Sequence, residues 1–325
     1  MTPTVSVVIA TYNRGARIAR TLDSVLAQTV RPTEIIVIDD QSTDDTAAWV
    51  REHYPDVQVV TVPNGGSSAS RNRGAERASG DVLVFLDHDD DMLPTCVETL
   101  MGLLGRFPEA RAAFADHELN NVVDGVHFRN HHTEQAAFHR LRAVRPVATD
   151  GADRAYGREL FYAMLSGNLL QQPWAIYRDD FLVLGGFDTA IRYCEDWELY
   201  TRLVASRVVA LTDRVVSVHY IEGQNLHRAS GQDLQHMKVI RKHLAGRGRH
   251  DWRMVRILRP RLANYYKTRG DLLRADGQPG AWREYLRSLT TWPGDPVVMA
   301  RLVLWLPSAI REAMLGTGPR GTRPD

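Results

Sequence analysis

Four short apolar runs open the chain, at Val5–Ala10, Glu34–Asp39, Val57–Val62 and Val82–Leu86. Each is continuously apolar rather than alternating, the pattern of a strand buried on both faces. Helical patterns separate them. Ile18, Leu22, Val25 and Leu26 fall at i, i+4, i+7 and i+8, with Pro32 beyond them as a stop. Ser42 followed by Asp45 predicts a capping box opening a helix that runs to about Tyr54. A third helix is predicted from near Ser70 to Ser79-Gly80. Strands alternating with helices of this length imply right-handed crossovers and a parallel, doubly wound sheet.

The pattern then loosens. Arg111–Asp116 reads as another strand, whereas 118–157 is polar, irregular and rich in His, and predicts long loops or short edge elements. Regularity returns with a strand at Asn168–Tyr177 and a helix at Glu195–Ala205 that sets Trp197, Tyr200, Leu203 and Val204 on one side. Two short strands follow at Val208–Leu211 and Val215–His219, and beyond Gly231 the pattern is helical and Arg-rich. The expected fold class is α/β, a Rossmann-like, mostly parallel sheet flanked by helices, with a C-terminal helical extension. The expected division is a catalytic domain at 1–230, in halves 1–116 and 117–230, and a basic helical extension at 231–325.

Composition sharpens this. With 325 residues, 44% hydrophobic and 24% charged, the chain can bury one large core plus an appendage, which excludes a disordered chain. The net charge of +1 hides an asymmetry: 231–325 carries 18 Lys+Arg against 8 Asp+Glu, leaving the first 230 residues at −9. The acidic part can host a cation, and the basic part suits an anionic surface or substrate. Cys96 and Cys194 lie far apart and show neither pairing nor metal spacing. Met1–Ala10 shows no signal-peptide pattern, so a reduced, cytoplasmic setting is expected.

Polar clusters follow each of the first four strands, where ligands bind in an open α/β sheet. They are Thr11-Tyr12-Asn13-Arg14, Asp39-Asp40, Asn64-Gly65-Gly66 and Asp87-His88-Asp89-Asp90. Asp87 and Asp89, at i and i+2 on a strand exit, can project toward one point. Hard oxygen ligands suit Mg²⁺ or Mn²⁺, which bind phosphate oxygens and can neutralise a diphosphate leaving group.

The segments Val5–Arg14, Glu34–Thr46, Asn64–Gly74 and Phe85–Asp90 resemble, in order and spacing, the motifs of glycosyltransferase family 2, which has the GT-A fold. The resemblance covers roughly residues 4 to 228. It implies an inverting transfer from a nucleotide-sugar, with UDP or dTDP as the favoured nucleotide. Thr11, Tyr12 and Asn13 would line the nucleotide pocket, with Arg14 near the phosphates. Asp39 would accept a hydrogen bond from the base, Asn64 and Gly65 would lie against the nucleotide, and Arg71 would pair with donor phosphates. Asp87 and His88 would border the donor, with Asp87 on the ribose or the metal and Asp89 the principal metal ligand. Gly185-Gly186-Phe187-Asp188 followed by Glu195-Asp196-Trp197 looks like the family's acceptor-side motif, which makes Asp196 the general base, supported by Glu195. Ile221–Arg228 departs from the family's closing motif: Glu222 stands where many members carry His, flanked by His219 and His227, so a third metal contact is left open. The His-rich stretch His127, His131, His132 and His139 has no metal-ligand spacing.

A sugar-phosphate nucleotidyltransferase is the nearest rival enzyme, but the first loop lacks its Gly-rich, basic triphosphate clamp. No G-x-G-x-x-G follows the first strand, which disfavours a dinucleotide-dependent dehydrogenase. A non-catalytic nucleotide-sugar-binding protein would have no need of Asp87, Asp89 and Asp196. Expected partners are the donor and a carbohydrate, lipid-linked or small-molecule acceptor, with no nucleic acid. The apolar tail at 296–314, interrupted by Arg301 and Pro307, is too short to span a bilayer. With Leu302, Leu304, Trp305 and Leu306 it either packs back on the protein or lies peripherally on the cytoplasmic face of the membrane.

Overall fold

The computed structural model describes residues 2–123, 125–128, 140–221, 232–246 and 251–303. Two compact units divide it, Met1–Gln235 and His236–Asp325. Expectations resting on His131, His132, His139, Glu222, His227 or the tail beyond Val303 lie outside the described residues.

In the first unit the predicted runs form β1 (Val5–Thr11), β2 (Glu34–Asp39), β3 (Gln58–Thr61) and β4 (Val82–Asp87). The three connecting helices are α1 (Ala19–Leu26), α2 (Thr46–His53) and α3 (Gly66–Arg77). The strands lie in the order β3-β2-β1-β4, all parallel. Every residue of β1 is buried, as its unbroken apolar run requires of a central strand. Gly74 lets α3 settle on this strand: a Cβ there would stand 2.3 Å from Cγ1 of Val8 and 3.2 Å from Cγ1 of Ile38.

Beyond β4 the sheet becomes mixed. β10 (Trp174–Tyr177) runs antiparallel between β4 and β6 (Ala110–Asn121), and β6 is parallel to β11 (Val208–Ile221). β11 continues into antiparallel β9 (Asp153–Tyr156) and β8 (Ala148–Asp150), while β5 (Asp91–Met92) and β7 (Val126–Phe128) pair with β11 and β6. The architecture is a mostly parallel α/β sheet flanked by helices, like the GT-A fold.

Several local expectations change. The strand predicted at Asn168–Tyr177 shrinks to β10, because Pro173 has no N–H to give a ladder. The two strands predicted between Val208 and His219 are one, with register shifts at Leu211/Val215 and Val215/Ser217. No capping box forms at Ser42, whose hydroxyl accepts from the Asn13 N–H at 2.9 Å, and α2 starts only at Thr46. The sequence pattern also missed α4 (Cys96–Arg106), whose buried Cys96, Val97, Leu100, Leu103 and Leu104 form one apolar stripe under β6 and β11.

Three further helices complete the first unit's described core: α5 (Arg158–Met164), α6 (Arg178–Val183) and α7 (Glu195–Val204). Phe85, Phe114, Trp174, Tyr200, Phe181 and Phe187 pack ring against ring where β4, β10 and α7 meet, with Phe114 and Trp174 stacked at 5.6 Å. α8 (Gln232–Gly246) runs across the division between the units.

The second unit contains α9 (Trp252–Ala275), α10 (Ala281–Thr291) and α11 (Pro296–Val303). Asp251 caps α9 by accepting from the Met254 N–H at 3.1 Å. Gly270 brings α9 close to α10, since a Cβ there would lie 2.6 Å from the Tyr285 ring, and Ser288 Oγ donates to Ala263 O at 2.8 Å. Among the described residues no helix is long and apolar enough to cross a membrane.

Candidate active site

Strand register sets the first four loops side by side. Thr11 pairs with Asp39 across β1 and β2, and Ala10 with Asp87 across β1 and β4, so all open at the carboxyl end of the sheet. The loops are stitched to each other. Asn13, held at φ +50°, accepts from the Thr43 N–H at 2.8 Å, while Asp39 accepts from the Ser42 N–H at 3.3 Å. Thr46 Oγ1 receives the N–H groups of Arg14 (2.9 Å) and Gly15 (2.7 Å). Thr11 is buried with its hydroxyl unpartnered, whereas Tyr12 stands exposed beside it.

Asp40, a residue the sequence reading quoted without a role, organises the third loop. It accepts from the N–H groups of Gly65 (2.9 Å) and Gly66 (2.8 Å) and from Ser70 Oγ (2.8 Å), satisfying the first turn of α3. Asn64 joins the same frame by donating its amide to Asp40 O at 3.1 Å.

At the end of β4, Asp89 meets Arg14 at 3.1 Å and His88 Nδ1 lies 2.8 Å from Ala10 O. Asp87 accepts from Arg71, whose other terminal nitrogen donates to Glu195 at 3.1 Å. Arg71 thus ties β4 to the start of α7, reaching from α3 to a residue 124 positions further along the chain. Burial opposes ionisation at both Arg71 and Asp87, but their mutual charge wins: the Arg71 pKa rises and that of Asp87 falls. The sequence reading assigned Arg71 to donor phosphates; here its guanidinium is engaged by protein carboxylates.

Asp196, next to Glu195 at the first turn of α7, accepts from Asn168 Nδ2 at 2.8 Å and from the Trp197 N–H at 2.7 Å. Burial, reinforced by the Glu195 charge, pushes its pKa up to about 7. The turn before α7 is fixed from two sides. Asn72 donates to Phe187 O (2.9 Å) and accepts from the Phe187 N–H (2.8 Å), and Arg202 donates to Gly186 O (2.6 Å). Gly186 sits at φ +64°, where a Cβ would fall 2.5 Å from Asn72 Oδ1.

Asp90 is a further buried carboxylate that the sequence reading left without a role. It accepts from the Tyr220 N–H at 3.2 Å and lies 3.5 Å from His219 Nδ1. Burial and the charges of Asp87 and Asp89 raise its pKa well above the usual carboxylate range, and burial lowers that of His219.

Among the described residues no group of three or more His, Cys, Asp or Glu is arranged to enclose a metal. Asp87 and Asp89 nevertheless suit a hard cation. Both side chains are 34% exposed, and Mg²⁺-type ions are commonly held by one or two carboxylates with water and substrate phosphate completing the shell.

The fold is an α/β domain with acidic side chains clustered at the carboxyl ends of its first strands. Residues 6–158 match the model of glycosyl transferase family 2. An uncharacterized glycosyltransferase of Escherichia coli, YibD, is 42% identical over 99 residues, 30% of this chain and 29% of its own. A Campylobacter jejuni protein named GalNAc(5)-diNAcBac-PP-undecaprenol beta-1,3-glucosyltransferase is 35% identical over 104 residues, 30% of this chain and 34% of its own. The crystal structure of Staphylococcus aureus TarS residues 1–349 with UDP-GlcNAc shares the fold, with a TM-score of 0.64 at 17% identity over 96% of this chain and 86% of that one. The chain spans 29% to 61% of the length of the first three curated relatives it matches.

Proposed function

We propose that this protein is a metal-dependent, inverting glycosyltransferase that moves a sugar from a nucleoside-diphosphate sugar, UDP or dTDP favoured, to a hydroxyl acceptor in polysaccharide, glycolipid or glycoconjugate synthesis. The observation that carries the reading is the Arg71 bridge. It holds the donor-side carboxylate Asp87 and the acceptor-side Glu195 in one cluster, with Asp196 and its raised pKa beside it.

In this reading Thr11, Tyr12, Asn13, Asp39, Asn64 and Gly65 receive the nucleoside, and Arg14 approaches the phosphates. Asp89, with Asp87, would hold Mn²⁺ or Mg²⁺, which supplies charge neutralisation for the departing diphosphate. Asp196 accepts the acceptor's hydroxyl proton as that oxygen attacks the anomeric carbon opposite the leaving group. A pKa of about 7 suits this role, leaving a usable fraction ionised at neutral pH while keeping the carboxylate basic. Asn168 and the Trp197 N–H orient it, and Arg71 positions Glu195 beside it.

The Campylobacter relative's named acceptor supports a lipid-linked acceptor among the classes considered, and the UDP-GlcNAc complex of TarS supports a UDP-sugar donor. Cytoplasmic residence belongs to the same proposal, supported by two cysteines that are both free. A panel of nucleotide-sugars, assayed for metal-dependent hydrolysis, tests the reading without an acceptor. Turnover of a UDP- or dTDP-sugar is expected. Hydrolysis of none of them, or of nucleoside triphosphates with sugar phosphates instead, would overturn it.

A further inference from the structure

The described tryptophans divide by unit. Trp174 and Trp197 are buried and Trp49 is partly buried, whereas Trp252, Trp282 and Trp292 in the second unit are exposed by 66%, 42% and 40%. Two of these exposed rings lie near a guanidinium: Arg256 is 5.8 Å from the Trp252 centroid and Arg283 is 5.3 Å from that of Trp282. Exposed apolar side chains are informative when they are grouped on one face rather than scattered.

α10 shows how the exposure is organised. Ala281, Glu284, Tyr285 and Ser288 are buried, with Gly270 and Ala263 of α9 against the last two. The opposite face presents Trp282 and Leu286, one turn apart, beside Arg283 and Arg287, also one turn apart. Trp292 is exposed immediately after the helix ends. Glu284 points inward and pairs with Arg287 at 2.7 Å, so the outward face carries no exposed carboxylate.

We propose that this face of α10, with Trp292, docks the protein on an anionic lipid bilayer. An indole and a leucine would enter the boundary between headgroups and acyl chains while the arginines remain at phosphate level, the arrangement of an interfacial amphipathic helix. Charge selects this occupant over a second copy of the chain. A two-fold contact through the same face would bring the exposed Arg283 of each copy to a surface with no exposed carboxylate to receive it, Glu284 being buried and held by Arg287. A negative lipid surface receives Arg283. The proposal requires no part of the glycosyl-transfer reading, although docking would bring such an enzyme to a lipid-borne acceptor.

Co-sedimentation of the full chain with vesicles decides it. Vesicles of phosphatidylcholine containing about 30% phosphatidylglycerol should bind the protein, pure phosphatidylcholine should bind it weakly, and about 0.5 M salt should release it. The double substitution Trp282→Ala/Leu286→Ala should reduce partitioning roughly tenfold, and Arg283→Gln should weaken its salt dependence. Both variants should keep the wild-type melting temperature and nucleotide affinity, which separates loss of docking from loss of folding. Wild-type partitioning by the double variant, or no binding by the full chain, overturns the proposal. So does a dimer in size-exclusion chromatography that the double variant dissociates, since that would make the face a subunit contact.

Discussion

Asn168 donates its side-chain amide to Oδ2 of Asp196 at 2.8 Å, joining the irregular segment before β10 to the first turn of α7. The bond leaves Asp196 aimed by two donors, the other being the Trp197 N–H at 2.7 Å, rather than free to rotate. Asn168→Ala should therefore lower kcat by roughly tenfold with little change in donor affinity, because it disturbs aim rather than binding. Single-turnover kinetics alongside donor titration separate the two effects.

Substitution of Asp196 itself should be more severe. Asp196→Asn is expected to reduce turnover by about 10² to 10⁴-fold and to leave nucleotide binding intact. In the wild-type protein, kcat/KM should rise with pH through about 7, since the carboxyl must be ionised to accept a proton. The folded-state pKa is raised, so the stability associated with the neutral form is present at low pH and is lost as pH rises through about 7. Asp196→Asn should accordingly melt above wild type at pH 8, with the gap narrowing as pH falls from about 7 and closing only near the ordinary carboxylate value of about 4, as calorimetry can check.

The Arg71 bridge predicts a different signature. Removing a guanidinium with only 7% of its side chain exposed leaves Asp87 and Glu195 without their shared cation. Arg71→Met should cost roughly 2 to 4 kcal/mol in urea unfolding, scaled below a fully buried pair because Asp87 is 34% exposed. The depressed Asp87 pKa fixes the sign of the acid limb. Its stabilisation is present above the ordinary carboxylate range and is lost as pH falls through the lowered folded-state value.

Much of the nucleotide-side architecture was legible because it is local. Glu34–Asp39 forms the strand predicted for it, and the clusters after β1, β2, β3 and β4 lie together because each follows a parallel strand. The insertion of β10 was not legible. Four residues, Trp174–Tyr177, the first three of them buried, carry no mark of direction or partner, and only the tertiary fold places them antiparallel between β4 and β6. Ser42 shows why polar loops mislead: it looks like a helix cap but holds the Asn13 N–H, as Thr46 holds those of Arg14 and Gly15. Asn72 lies within the Asn64–Gly74 segment, yet its bonds to Phe187 join positions 115 residues apart and have no local signal.

Helix α3 carries Arg71 and packs through Gly74 onto Val8, so the two functions are coupled mechanically. Gly74→Ala introduces a Cβ 2.3 Å from Val8 Cγ1 and should push α3 outward, at a cost of about 1 to 3 kcal/mol. Nucleotide affinity should fall as well, because Gly65 and Gly66 at the start of α3 move with it. Denaturant unfolding and titration of the same sample measure both consequences.

The central claim is that Asp89 and Asp87 assemble a metal-dependent nucleoside-diphosphate site at the end of β4. Isothermal titration of UDP and dTDP into the protein, with Mn²⁺ and then with chelator, tests it most directly. One of these nucleotides should bind with metal, chelation should abolish binding, and Asp89→Ala should reduce it by at least about tenfold while the protein remains folded. Equal affinity in chelator, or undiminished binding by Asp89→Ala, would contradict it.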